Sequence, residues 1–158
     1  MASPLRPPRT RVYATVLAAL ALLFFLRVLG QVLVAFFGVR FLPPMEDWYS
    51  GLLPYPILLP VQVVILWLQA LMVRDFWRNA GFFVVPRPRM GRVVRWFSYV
   101  YLAGMIVRYT LTMSMYPERR WLGRGTIPTL FHCVLATYLF VFSLHHLRSE
   151  SRPCSSPS

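Results

Sequence analysis

The stretch Val12 to Gly38, VYATVLAALALLFFLRVLGQVLVAFFG, runs for 27 residues with a single charged side chain, Arg27. A helix needs about 20 predominantly apolar residues to cross ~30 Å of hydrocarbon, so this run is long enough to span a bilayer. Arg6, Arg9 and Arg11 ahead of it resemble the basic leader of a signal peptide. The apolar run continues past Phe37 without a small-x-small cleavage site, which reads as a retained signal-anchor first helix.

Three further runs follow, at Pro54 to Val73, Val93 to Met115 and Thr126 to Leu147. With 57% hydrophobic residues and a mean hydropathy of +0.53, the chain is too apolar for a water-soluble core. The expected class is an all-α integral membrane protein, a four-transmembrane-helix bundle built of two helical hairpins. Residues 1–11 read as a basic cytoplasmic N-terminus and 12–147 as the membrane domain, with helices at 12–38, 54–73, 93–115 and 126–147. Residues 148–158, rich in Ser and Pro, read as a short disordered tail. The connecting segments are too short for a second domain.

The formal charge of +12 comes from seventeen arginines and no lysine. Its distribution points away from nucleic acid and toward orientation. Eleven arginines flank the first run's start, the segment between the second and third runs, and the end of the fourth. The opposite side receives Arg40, Arg119, Arg120 and Arg124 together with Glu46, Asp47 and Glu118. The positive-inside rule then places both termini in the cytoplasm. The arginine-only basic set suits a high-GC bacterial genome, and hence a bacterial inner membrane. The Arg-rich central segment is also compatible with anionic lipid head groups.

The two outer loops share a layout: Pro44-Met-Glu-Asp-Trp48-Tyr-Ser-Gly51-Leu-Leu-Pro54 beside Pro117-Glu-Arg-Arg-Trp121-Leu-Gly-Arg-Gly125-Thr-Ile-Pro128. Each has a helix-ending Pro, a Trp four residues on, a Gly for the turn and a Pro opening the next helix. The helices share no such identity, so ordinary loop chemistry is the simpler account and a duplicated hairpin the other. Glu46 and Asp47 hold the offsets that Arg119 and Arg120 hold in the second loop, which suggests a charge clamp between the hairpins. Exposed ion pairs contribute only ~0.2 to 1 kcal/mol each, so such a clamp would set geometry more than stability.

Depth arithmetic at 1.5 Å per residue brings one polar side chain from each run to a common level. Gln31, Gln62, Arg108 and His132 fall roughly 9 to 12 Å below the outer boundary. Arg27 lies one turn deeper than Gln31 on the same face, and Thr112 shares a face with Arg108. A buried arginine costs about 2.5 to 3.5 kcal/mol on insertion scales and normally faces the bundle interior or a wet cavity. The competing account is that Arg108 snorkels to the head groups while the glutamines only join helices. Arg27, near the middle of the longest run, lacks that escape and favours a site.

The three histidines, His132, His145 and His146, all belong to the fourth run. The fourteen-residue spacing of His132 and His146 resembles helices that hold haem near each membrane face, but no second helix supplies partner histidines, and haem is not expected. His145 and His146 are expected at the cytoplasmic interface, stabilising the helix C-terminus. Cys133 and Cys154 are too few and too far apart for a zinc site, and no disulfide or other metal site is expected. No H-E-x-x-H, phosphate loop or G-x-S-x-G element occurs.

The remaining patterns read as anchoring and packing. Trp48, Trp77, Trp96 and Trp121 suit the interfacial belt, Trp67 lies deep, and Phe76 to Pro88 reads as a stretch lying along the inner surface. Ala14, Ala18 and Ala21, with Gly104 on the third run, offer small surfaces for close helix contact. The leading expectation is a non-enzymatic membrane protein whose polar layer of Arg27, Gln31, Gln62, Arg108, Thr112 and His132 binds or transports an anionic small molecule or lipid head group. The alternatives are an accessory subunit of a larger membrane complex, and a membrane-embedded enzyme using His132 as base beside Arg108. A homo-oligomer is compatible with any of the three.

Overall fold

Three of the four described helices begin at or just after a proline, and the first two end where a residue takes a left-handed turn, at Gly38 and Asn79. The computed structural model describes residues 8–44, 48, 54–115 and 126–148, and among these it contains four α-helices and no strand. They are α1, Pro8–Phe37; α2, Tyr55–Arg78; α3, Pro88–Met115; and α4, Thr126–Arg148. Pro8 and Pro88 open α1 and α3, and Pro54 caps α2 with a second proline in its first turn. A proline there costs no hydrogen bond, because the first N–H groups of a helix lack partners anyway. α2 stops at Asn79, whose φ of 51° lies in the left-handed region. The N–H groups of Asn79 and Ala80 fold back to the carbonyls of Phe76 and Asp75 at 3.3 and 3.2 Å. That pattern closes a helix C-terminus.

The expected boundaries are too short at the arginine-rich end. α1 starts four residues before Val12, α2 runs past Val73 to Arg78, and α3 starts at Pro88 rather than Val93. Hydropathy marks where lipid would stop, whereas the backbone ladder continues until capping chemistry stops it. The expectation of four membrane-spanning helices is met in part. α1, α2 and α4 are long and apolar enough to cross a membrane, and α3 is not among them. Arg89, Arg92, Arg95 and Arg108, with interspersed Tyr, Ser and Thr, dilute its hydropathy. The clamp residues Glu46, Asp47, Arg119 and Arg120, and Trp121, lie outside the described residues.

α1 packs on α2 and on α4, and α4 packs on α3, so the helices follow the order α2, α1, α4, α3. Sequence-adjacent helices thus pair as α1 with α2 and α3 with α4, and the pairs join through α1 and α4. No packing seam forms between α2 and α3 among the described residues. The apolar core lies toward one end, here called the lower end, which carries the start of α1, the α2–α3 connection and the end of α4. It is built from Ala14, Leu17, Phe76, Tyr138 and Phe142, with Phe83 and Val84 of the connection packed against it. Phe76 and Phe83 both set their rings against Phe142, at 6.1 and 6.2 Å between centroids.

The Phe76 to Pro88 segment, expected to lie along the inner surface, is anchored to the bundle through Phe76, Phe83 and Val84. Phe76 and Trp77 finish α2, and the connection folds inward, leaving Phe82 and Val85 exposed. The two terminal histidines of α4 hold it there. His145 donates from Nε2 to the Val84 carbonyl at 2.9 Å, and His146 accepts the Arg87 N–H at Nδ1 at 3.2 Å. Their expected role at an exposed helix end is replaced by this pinning, since both rings have a backbone partner within reach. Gly104 is likewise not a contact point, having no neighbour within 4 Å of where a Cβ would stand. Gly91 takes that role, where a Cβ would come within 2.9 Å of His146 Cβ.

Gly81 is required twice over. Its φ of +120° is accessible to few residues other than glycine, and a Cβ there would overlap the Asp75 carboxylate. Gly81→Ala is expected to cost about 1 to 3 kcal/mol, read as a lowered unfolding midpoint in mild detergent. An unchanged midpoint would show that this turn does not lock the lower end.

Candidate functional site

Above the core, the polar side chains of four helices meet around one cavity. Arg27 on α1 is 7% exposed, Gln31 one turn above it is fully buried, and Gln62 on α2 is 3% exposed. Residues i and i+4 share a helix face, which sets Arg27 Nη1 3.5 Å from Gln31 Oε1. The same oxygen accepts Gln62 Nε2 at 3.1 Å, tying α2 to α1. Because Arg27 can only donate, its contact fixes which amide atom of Gln31 is the oxygen. That assignment leaves Gln62 Oε1 and Gln31 Nε2 without a hydrogen-bond partner, along with Arg27 Nε.

Arg27 gains two further contacts. Its Nη2 donates to the Trp48 carbonyl at 3.3 Å, and its guanidinium carbon stands 5.6 Å from the centroid of Phe131 on α4. A cation over an aromatic face at that range is worth about 0.5 to 2 kcal/mol, depending on desolvation. No carboxylate joins it among the described residues. Asp75, the one acidic residue described, lies at the lower end and pairs with Arg74 at 3.3 Å.

The cavity beside these groups has a volume of about 250 Å³. Arg27, Gln62, Arg108 and His132 contribute its polar lining, one from each helix, and Gln31 supports them from behind. Of the anticipated polar layer, the side chain of Thr112 alone is not described. None of the lining residues is a Ser, Thr, Cys or carboxylate. Among the described residues, no group of three or more His, Cys, Asp or Glu is placed to hold a metal ion. Comparison with protein-family models, curated proteins and solved structures finds no match.

Two members of the site were not anticipated from sequence. Tyr101 lines the cavity, and its hydroxyl shares a hydrogen bond with His132 Nδ1. It lies seven residues before Arg108, so the shared face was available as a signal. Trp48 was read as an interfacial anchor, yet it is 8% exposed, packs its ring over Gly30 and donates from Nε1 to the Pro43 carbonyl at 2.9 Å. No local pattern distinguishes a tryptophan folded back onto its own hairpin from one facing head groups. Trp77 and Trp96 do stay exposed.

Gln31 is the joint of this network. Gln31→Leu strands donors on both Arg27 and Gln62, and is expected to lower stability by about 1 to 3 kcal/mol. The double change Gln31→Leu with Gln62→Leu should recover part of that loss, because only one stranded donor remains. Unfolding in detergent measures both, and additive losses would break the assigned bridge.

Proposed function

We propose that this chain is a four-span membrane protein, with both termini in the cytoplasm of a bacterial inner membrane, that binds an anionic group in its outer-half polar layer. The observation that carries the reading is Arg27. It is a buried guanidinium beside a cavity, with an unpartnered Nε and no described carboxylate. A positive charge in apolar surroundings is retained where it has a counter-charge, and a second guanidinium, Arg108, lines the same space. In this orientation the lower end faces the cytoplasm, which puts Arg11, Arg74, Arg78, Arg87 and Arg89 on the inner side.

Large apolar side chains cover the outside of the helices, including Phe25, Val64, Trp67 and Val100. That surface supports contact with lipid. The less apolar α3 is compatible with spanning because its exposed hydroxyls need no water. Thr110 donates to the Ile106 carbonyl at 2.9 Å, and Ser114 donates to the Thr110 carbonyl at 3.0 Å. Hydroxyls bonded back to their own helix are satisfied within it.

Topology is checked in a chain with Cys133→Ala and Cys154→Ser, carrying a single cysteine at either Met90→Cys or Met115→Cys. The two sites should label with a membrane-impermeant maleimide from opposite faces of vesicles. Labelling from one face would remove α3 from the set of spans.

The function is tested by native mass spectrometry of protein released from mild detergent. Wild type should carry a bound anionic mass that Arg108→Ala loses. A bare chain, or one that survives only with another polypeptide attached, would overturn the binding reading and make the polar layer a matter of subunit assembly.

A further inference from the structure

Each helix that lines the cavity contributes a polar residue and, three residues nearer the lower end, an apolar one. The pairs are Arg27 over Phe24, Gln62 over Ile65, Arg108 over Met105 and His132 over Leu135, and all eight side chains line the same space. Three residues of helix advance ~4.5 Å, so among these eight side chains a polar tier is stacked on an apolar tier. Leu58, Val61, Pro128 and Phe131 add apolar lining at or above the polar level, and Tyr101 adds a hydroxyl that meets His132. The repetition holds although α1 and α3 run in the opposite direction to α2 and α4.

In the packing order α2, α1, α4, α3 the two end helices, α2 and α3, have no packing seam between them, and both line the cavity. On the other side α1 and α4 close it by packing on each other. Trp48, seated on Gly30 one turn above Arg27, stands between the polar tier and the upper end of α1. Among the described residues a sideways approach leads past Val61, which lines the cavity and is 45% exposed on α2.

From these observations we propose that the ligand is a membrane-resident amphiphile with an anionic head group, entering laterally between α2 and α3; this rests on the anion-binding reading above. Its head group occupies the polar tier, where Arg27 and Arg108 supply charge. The Gln62 Oε1 acceptor, unpartnered in a side chain 97% buried, suits a head group that also carries a hydroxyl. The first part of its chain lies on the apolar tier and points inward, as the chains of an outer-leaflet lipid do. A space of about 250 Å³ lies below the ~300 to 1,000 Å³ of pockets that enclose a whole ligand. The remaining chain therefore stays in the bilayer, in the gap between α2 and α3. A water-soluble anion would use the polar tier and leave the apolar tier without a role.

The test uses the full-length protein in mild detergent, with three probes. Single-chain phosphatidylglycerols of increasing acyl length are compared with chain-matched phosphatidylcholines and with glycerol 3-phosphate. Binding is read by native mass spectrometry and by the fluorescence of Trp48, with Trp67, Trp77, Trp96 and Trp121 replaced by Phe. The phosphatidylglycerol should bind at least tenfold more tightly than its phosphatidylcholine, with a margin over glycerol 3-phosphate that grows with chain length. Arg108→Ala should remove that head-group preference. Met105→Phe, which narrows the apolar tier, should weaken the longer lipids about tenfold more than it weakens glycerol 3-phosphate. Glycerol 3-phosphate binding as tightly as the lipids, in an Arg108-dependent manner, would sink the amphiphile while leaving the anion site standing. Absence of Arg108-dependent binding by any probe would remove both. The chain-length series on unaltered Met105 decides the matter if that variant does not fold.

Discussion

A guanidinium that cannot reach water has to be surrounded by acceptors, and the upper half of this structure is arranged around that requirement. Arg27 sits too far from either end of α1 for its side chain to escape along the helix. The chain answers with partial charges: the Gln31 amide oxygen, the Trp48 carbonyl and the face of Phe131. Each comes from a different part of the chain. Satisfying Arg27 therefore draws the loop after α1, the face of α2 through Gln62, and the start of α4 toward one point. The residual unpartnered atoms there mark how far neutral groups fall short of a counter-ion.

The two ends of the bundle are built on different physics. At the lower end, aromatic rings, a left-handed helix stop and two histidine contacts to loop backbone pull α2, the connection and α4 together. These are short-range contacts among apolar rings and the backbone of the connection. In the upper half no packing seam joins α2 and α3, and the cavity there is lined by both polar and apolar groups of all four helices. A bundle whose two end helices share no seam can hold a shaped cavity without a separate domain to form it. The polar contacts between helices also replace the hydrophobic driving force that lipid surroundings would remove.

Much of the site was legible in the chain because helical geometry is periodic and rigid. Counting residues from the outer boundaries near Gly38, Pro54, Met115 and Thr126 placed Gln31, Gln62, Arg108 and His132 at one depth, and the structure draws them, with Arg27, around one space. Counting could not reveal that Tyr101 meets His132, since two helices can present the same faces at several rotations. Nor could it reveal the fate of Trp48 or of the Phe82 to Val85 stretch. Their apolar character is satisfied equally by lipid or by folding back onto the protein. His145 and His146 were misread for a related reason: a ring at a helix end bonds whatever backbone comes within about 3 Å, and only the path of the connection supplies it.

Composition and the length of the apolar runs by themselves pointed to an all-helical chain of four runs and roughly to where each begins and ends; of the four helices, three are apolar enough to span a membrane. These properties depend on residues within a turn or two of one another, so a linear reading captures them. The order α2, α1, α4, α3, the missing seam between α2 and α3, and the two-tier cavity that results were decided only by tertiary structure. They depend on how helix faces rotate and which seams close, and that balance is struck among side chains distant in sequence.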